Sequence, residues 1–194
     1  MCFAARGART LGVAWLHPMP FLNWRPIGIG PKGVVALRCT KRLLTRVGLP
    51  QEVTAPATTI LGDWYACPLN IGHQRHVLLI SEHSRLPVLM AGRDLKHLTD
   101  NFPDALATVL WGLGISAVAI QRELEATREA VIAKTNSRSH LGTLNDFSFM
   151  LRWQLPDRPD LDFVQAALEL AHTPVGPLRP TSFPDKVTRQ LLAG

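Results

Sequence analysis

Apolar residues repeat along this chain with two different periods, and the switch between them gives its organisation. Val34–Cys39 is a short apolar run of strand type. Thr40 suits the N-cap of a helix running to about Val47, where Gly48 supplies a C-terminal stop. Residues 49–58, with Pro50 and Pro56, read as a linker. Three further runs, Trp64–Ile71, 76–81 and 86–91, are strand-like and joined by short polar turns, which predicts an antiparallel meander.

Beyond residue 100 the period lengthens. Leu106, Val109, Leu110 and Leu113 fall on one helical face, and Pro103 suits the first turn of that helix. Ser116 can cap the next helix, with Ala117, Ile120 and Leu124 inward. Residues 130–133 read as a strand. Thr143 then precedes a helix with Leu144, Phe147 and Leu151 on its core side. Asp160 opens another, with Leu161, Val164, Leu168 and Ala171 inward, and a short helix follows the Pro-rich loop 173–183 from Pro184. Strands first and helices after predict an α+β fold, a short antiparallel β-meander packed against a helical C-terminal half, and not a parallel α/β sheet.

Residues 1–33 have neither period. Pro18, Pro20, Pro26 and Pro31 punctuate them. They are expected to be a disordered or spurious extension, with one domain over residues 34–194. Val34 or Val35 then offers an alternative translation start. A signal-peptide reading fails because His17, Pro18 and Pro20 break the apolar run after Arg6 and Arg9.

Charge sharpens this division. The chain carries a net +6, but residues 1–33 hold four basic residues and no acid, leaving 17 basic against 15 acidic residues in the domain. A net of +2 argues against a nucleic-acid partner unless Arg75, Arg85, Arg93 and Lys96 gather on one face. The three cysteines, Cys2, Cys39 and Cys67, form no CxxC pair. Neither a disulfide framework nor a zinc site is expected, and reduced thiols point to the cytoplasm. The longest apolar stretch, 105–120, falls short of the roughly 20 residues of a membrane helix, so no membrane association is expected.

The chain lacks a Walker A loop, GxGxxG after a strand, HExxH and GxSxG, so no cofactor is expected. His73 and His76 have a spacing that chance supplies, and no metal is expected there. The conspicuous feature is the polar segment 134–146 within a mostly apolar half of the chain. Part of it has a structural explanation: Thr143 and Asp146 resemble a capping box, and Asn136 and Ser137 suit a turn. An anion site at a helix N-terminus is the functional reading, with Arg138, Lys134 and Ser139 facing it. A carboxylate at Asp146 would use the same dipole and repel a phosphate.

This segment resembles the shared motif of an uncharacterised bacterial domain-of-unknown-function family, approximately N-R-S-x-x-G-[ST]-[ML]-N-D. Here it stands as Ser137, Arg138 and Ser139 followed by Gly142, Thr143, Leu144, Asn145 and Asp146, with Ser137 in place of the usual Asn. Leu37 to Leu44 is similar to the family's opening strand and helix. Gly62, Asp63, Trp64, Tyr65 and Ala66 resemble its W-[YS]-A-N motif, with Cys67 where Asn is usual. Thr173, Pro174, Val175, Gly176, Pro177 and Leu178 resemble its C-terminal loop. The resemblance covers about residues 35–190 and implies a family without an assigned activity. Its bacterial origin argues against a mitochondrial leader at residues 1–33.

Two readings of function follow. In the first, the domain is a non-catalytic binding or regulatory module that uses segment 134–146 to recognise a small anionic ligand, a nucleic-acid end or a protein partner. Asn136, Arg138, Ser139, Asn145 and Asp146 are the candidate ligand-binding residues, with Trp64 added if it stacks on the ligand and is not core. In the second, the chain is a small enzyme of unrecognised type. Arg138 then holds an anionic substrate, and Asp146 or His140 handles protons.

Overall fold

In the computed structural model, residues 34–93, 95–154, 162–178, 180 and 182–194 are described. The expectations for residues 1–33, and for Asp160 and Leu161, lie outside them. Strand β1 (Val34–Cys39) is followed by helix α1 (Lys41–Val47). Strands β2 (Trp64–Ile71), β3 (Gln74–Ser81) and β4 (Pro87–Ala91) come next. Helices α2 (Leu98–Gly112) and α3 (Ala117–Ala126), strand β5 (Glu129–Lys134), and helices α4 (Arg138–Gln154), α5 (Phe163–Ala171) and α6 (Pro184–Leu192) complete the order.

The fold is α+β, and the expected meander is present: β2, β3 and β4 pair antiparallel. The β2–β3 turn places Gly72 at φ +54, a conformation that favours glycine. The sheet is mixed, however, with order β4-β3-β2-β1-β5. β1 runs parallel to both β2 and β5, pairing Leu37 with Trp64 and with Ile132. The meander is thus one part of the sheet, and β1 and β5 extend it with parallel pairs. Helix α1 supplies the crossover that the parallel β1–β2 pair requires.

Strand alternation separates two cores. Val35, Leu37 and Cys39 of β1, Trp64 and Ala66 of β2, Val77 and Leu79 of β3, and Val88 and Met90 of β4 face α1, α2 and α3. Tyr65, Leu69, Leu78, Ile80 and Leu89 face α4, where Leu144, Phe147 and Leu151 meet them. Helix α5 packs on β4 and feeds both cores, with Ala166 and Leu170 on one side and Ala167 and Ala171 on the other. The first core is anchored by Trp64, fully buried with its ring edge-on to Phe102 at 4.9 Å.

Two expected helix starts are corrected. Helix α2 begins at Leu98, so Pro103 lies inside it. The proline removes one backbone hydrogen bond. The buried stripe of Leu98, Phe102, Leu106, Val109 and Leu110 offsets this, at roughly 1.5–3 kcal/mol per large side chain. Helix α4 begins at Arg138, five residues before Thr143, so Thr143 and Asp146 do not cap it. The Thr143 hydroxyl instead donates back to the Ser139 carbonyl at 3.4 Å, within the helix.

Candidate functional site

The site grows from the turn between β3 and β4. The Ser81 hydroxyl lies 2.7 Å from that of Ser84 and accepts from the Leu86 amide at 3.0 Å. Thr188 of α6 donates to Ser84 from 104 residues away at 2.8 Å. These buried hydroxyls fix the turn and force Arg85 into the left-handed region, at φ +59. Such a conformation is costly for a residue with a Cβ. Arg85 is only 7% exposed, yet its Nε and Nη1 have no hydrogen-bond partner. Its Nη2 reaches the Ser139 hydroxyl at 3.4 Å, on the first turn of α4. Burial lowers the Arg85 pKa, and the nearby Tyr65 and Glu82 oppose that shift.

The acids nearby are otherwise engaged. Asp63 accepts the Ala36 amide at 3.0 Å and pairs through Oδ2 with Arg38, at 2.7 Å to Nε and 2.6 Å to Nη2. Glu82 accepts the Asp63 amide at 3.0 Å. Arg85 therefore carries a buried charge without a hydrogen-bonded carboxylate, which is expensive.

His140 locks the start of α4. Its ring stacks on Tyr65 with centroids 3.8 Å apart. Its Nε2 faces the Glu82 carbonyl at 3.1 Å and its Nδ1 the Ser137 hydroxyl at 2.6 Å. A carbonyl only accepts, so the proton is assigned to Nε2 and Ser137 donates to Nδ1. The Tyr65 hydroxyl donates to Asn136 Oδ1 at 2.7 Å. Burial, with Glu82 nearby, raises the Tyr65 pKa and keeps that donor protonated.

Beside this cluster lies a concavity of about 400 Å³. One wall is α4, with Ser139, Gly142, Thr143, Asp146, Phe147 and Met150; the other is residues 173–177. Gly142 sits inside a helix, where glycine costs roughly 1 kcal/mol relative to alanine. A Cβ added there would meet nothing within 4 Å, so packing does not require the glycine.

The structure divides the sequence candidates. Ser139 and Asp146 line the concavity. Arg138 and Asn145 are exposed on the outward face of α4, roughly 100° round from Ser139 by helical phase. Asn136 is in the loop before α4, bound to Tyr65. Trp64 belongs to the core on the opposite sheet face. Arg75 and Arg93 line a second concavity of about 610 Å³ with His73 and His76. They lie at the opposite end of the β3–β4 hairpin from Arg85, so these basic residues do not gather on one face.

A family profile described as a domain of unknown function, DUF6933, matches residues 36–186. The chain belongs to the DUF6933 family. The match takes in most of β1, the Arg85 turn, α4 and the 173–178 loop. The two sequence segments that stood out, 137–146 and 173–178, both contribute to one concavity in this DUF6933 protein, the first through Ser139, Gly142, Thr143 and Asp146 and the second through residues 173–177. No curated protein and no solved structure matches the chain.

Sequence reasoning passed over Arg85 as a site residue, along with Tyr65 and Glu82. The available signal was a polar turn, His83, Ser84 and Arg85, set between two apolar strands. Among the described residues, no group of three His, Cys, Asp or Glu side chains is placed to hold a metal ion. No described helix is long and apolar enough to cross a membrane.

Proposed function

We propose that this DUF6933 protein is a non-catalytic binding module whose concavity between α4 and residues 173–177 takes a small ligand bearing a carboxylate or phosphate. The observation that carries this reading is Arg85: buried, strained, without a paired carboxylate, and directed at Ser139 on the concavity wall. An anion near Ser139 would meet that charge, together with the free amides and positive dipole end of the first turn of α4. Phe147, Met150 and Val175 give the rest of the concavity an apolar lining suited to a short aliphatic body. The unpaired thiols Cys39 and Cys67 support a cytoplasmic setting.

Titration calorimetry and amide chemical shifts with octanoate and inorganic phosphate test the reading. At least one should bind the wild-type protein, shift Ser139 and Gly142, and lose binding in Arg85→Gln. If neither ion binds, the reading fails.

One observation favours a hydrolytic alternative: Ser137 and His140 stand as nucleophile and base at 2.6 Å, in a fixed tautomer. Neither lines the concavity, so no substrate site stands beside the pair. Turnover of p-nitrophenyl acetate that disappears in Ser137→Ala would reverse the preference.

A further inference from the structure

Asp146 is the residue that a simple anion site does not explain. It lines the same concavity as Ser139, and among the described residues it makes no hydrogen bond or ion pair. A second negative charge in the cavity would repel a ligand that was anionic throughout. Ser139, Gly142 and Asp146 are three and four residues apart, so they lie along one stripe of α4 with Gly142 between the two polar ends. The seven residue steps from Ser139 to Asp146 span about 10 Å of helix axis. The wall is therefore bipolar: buried positive charge behind Ser139 at one end, free carboxylate at the other, and a glycine floor between them.

We infer that the ligand is itself bipolar, an extended aliphatic molecule with a carboxylate or phosphate at one end and a protonated amine at the other, separated by about 10 Å. This deepens the proposed function and rests on its assignment of the concavity as a ligand site. The anionic head lies against Ser139 in the field of Arg85. The ammonium group pairs with Asp146. The chain between them lies over Gly142, where the missing side chain lets it approach the helix, with Phe147 and Met150 as its apolar sides.

The probes are ω-aminooctanoate, octanoate and the shorter ω-aminobutyrate, titrated into the full chain and into Asp146→Asn and Gly142→Ala. The amino acid should bind wild type at least fivefold more tightly than octanoate, in line with a partly exposed ion pair of about 1 kcal/mol. That advantage should vanish in Asp146→Asn, while octanoate, freed of a repelling carboxylate, should bind no more weakly than to wild type. Aminobutyrate, too short to bridge, should show no such advantage. Gly142→Ala should weaken both long probes without lowering the melting temperature, because its Cβ meets no protein atom. Equal affinities for octanoate and ω-aminooctanoate, or an advantage that survives in Asp146→Asn, would overturn the inference and leave the anion-binding reading intact. Failure of every probe to bind would overturn the inference, and the anion-binding reading falls with it if inorganic phosphate also fails to bind.

Discussion

The Tyr65 and His140 rings lie face to face, 3.8 Å between centroids and 13° from parallel, and so join β2 to the first turn of α4. The Tyr65 hydroxyl adds a bond to Asn136, an exposed residue that water can satisfy instead. Tyr65→Phe keeps the stack and loses that bond, so it should cost about 1 kcal/mol in urea unfolding. A loss above about 3 kcal/mol would mean that the loop before α4 depends on the hydroxyl.

Arg85 should behave unlike other buried residues. Its charge has no hydrogen-bonded carboxylate and its backbone is strained, so Arg85→Gly removes two unfavourable features together. The variant is expected to be at least as stable as wild type in chemical denaturation, although binding is lost. A destabilisation of several kcal/mol would show Arg85 to be a structural bracket between the turn and α4.

Phe147 is 1% exposed in the core between α4 and the sheet. Phe147→Ala should cost about 3–5 kcal/mol. Less than about 1 kcal/mol would mean that this core repacks around the cavity.

The helical face carrying Phe147 was legible because Leu144, Phe147 and Leu151 repeat with the helical period. The start of that helix was not. Gly142 and Thr143 imitate a stop and a cap, while the contacts that extend α4 back to Arg138 come from Tyr65 and Glu82, distant in sequence. That offset matters for the site. Phasing from Arg138 puts Ser139, Asp146 and Met150 on one face and turns Arg138 and Asn145 away from it. Arg85 left no periodic trace, since one arginine in a tight turn looks the same whether it is buried or solvated. The strands were legible as apolar runs, but no local pattern in Val34–Cys39 says that it lies between β2 and β5.

Acid should weaken the fold through His76. This residue is 5% exposed, its Nδ1 has no partner, and burial lowers its pKa from 6.5. The folded state holds the neutral imidazole, whereas the unfolded chain takes up a proton near pH 6.5. Stability from this group is therefore complete above that pH and declines as the pH falls below it, toward the lower folded value. Denaturation midpoints of wild type and His76→Leu between pH 7.5 and 5 should diverge in that sense, wild type losing more. Parallel curves would remove His76 from the account.

The thiols should be inert in the folded protein. Burial pushes the Cys39 thiol up to about 12 and also raises that of Cys67. The two lie on opposite faces of the sheet, which prevents a bond between them. Iodoacetamide at neutral pH, followed by peptide mass analysis, should leave both unmodified until denaturant is added. Labelling of either one in the native protein would show that its face of the sheet opens.

The place of β1 has a consequence for how the protein is made. The first strand among the described residues is the middle partner of the parallel pairs, with β2 on one side and β5 on the other. During synthesis it emerges before either neighbour. Its second edge stays open until residues 129–134 have left the ribosome, nearly a hundred residues later. Vectorial folding can complete the β2–β3–β4 hairpins early, but closure of the sheet belongs to the end of translation or after it. Until then the exposed edge of Val34–Cys39 is the place where a nascent chain would be captured by a chaperone or would pair with a neighbouring copy.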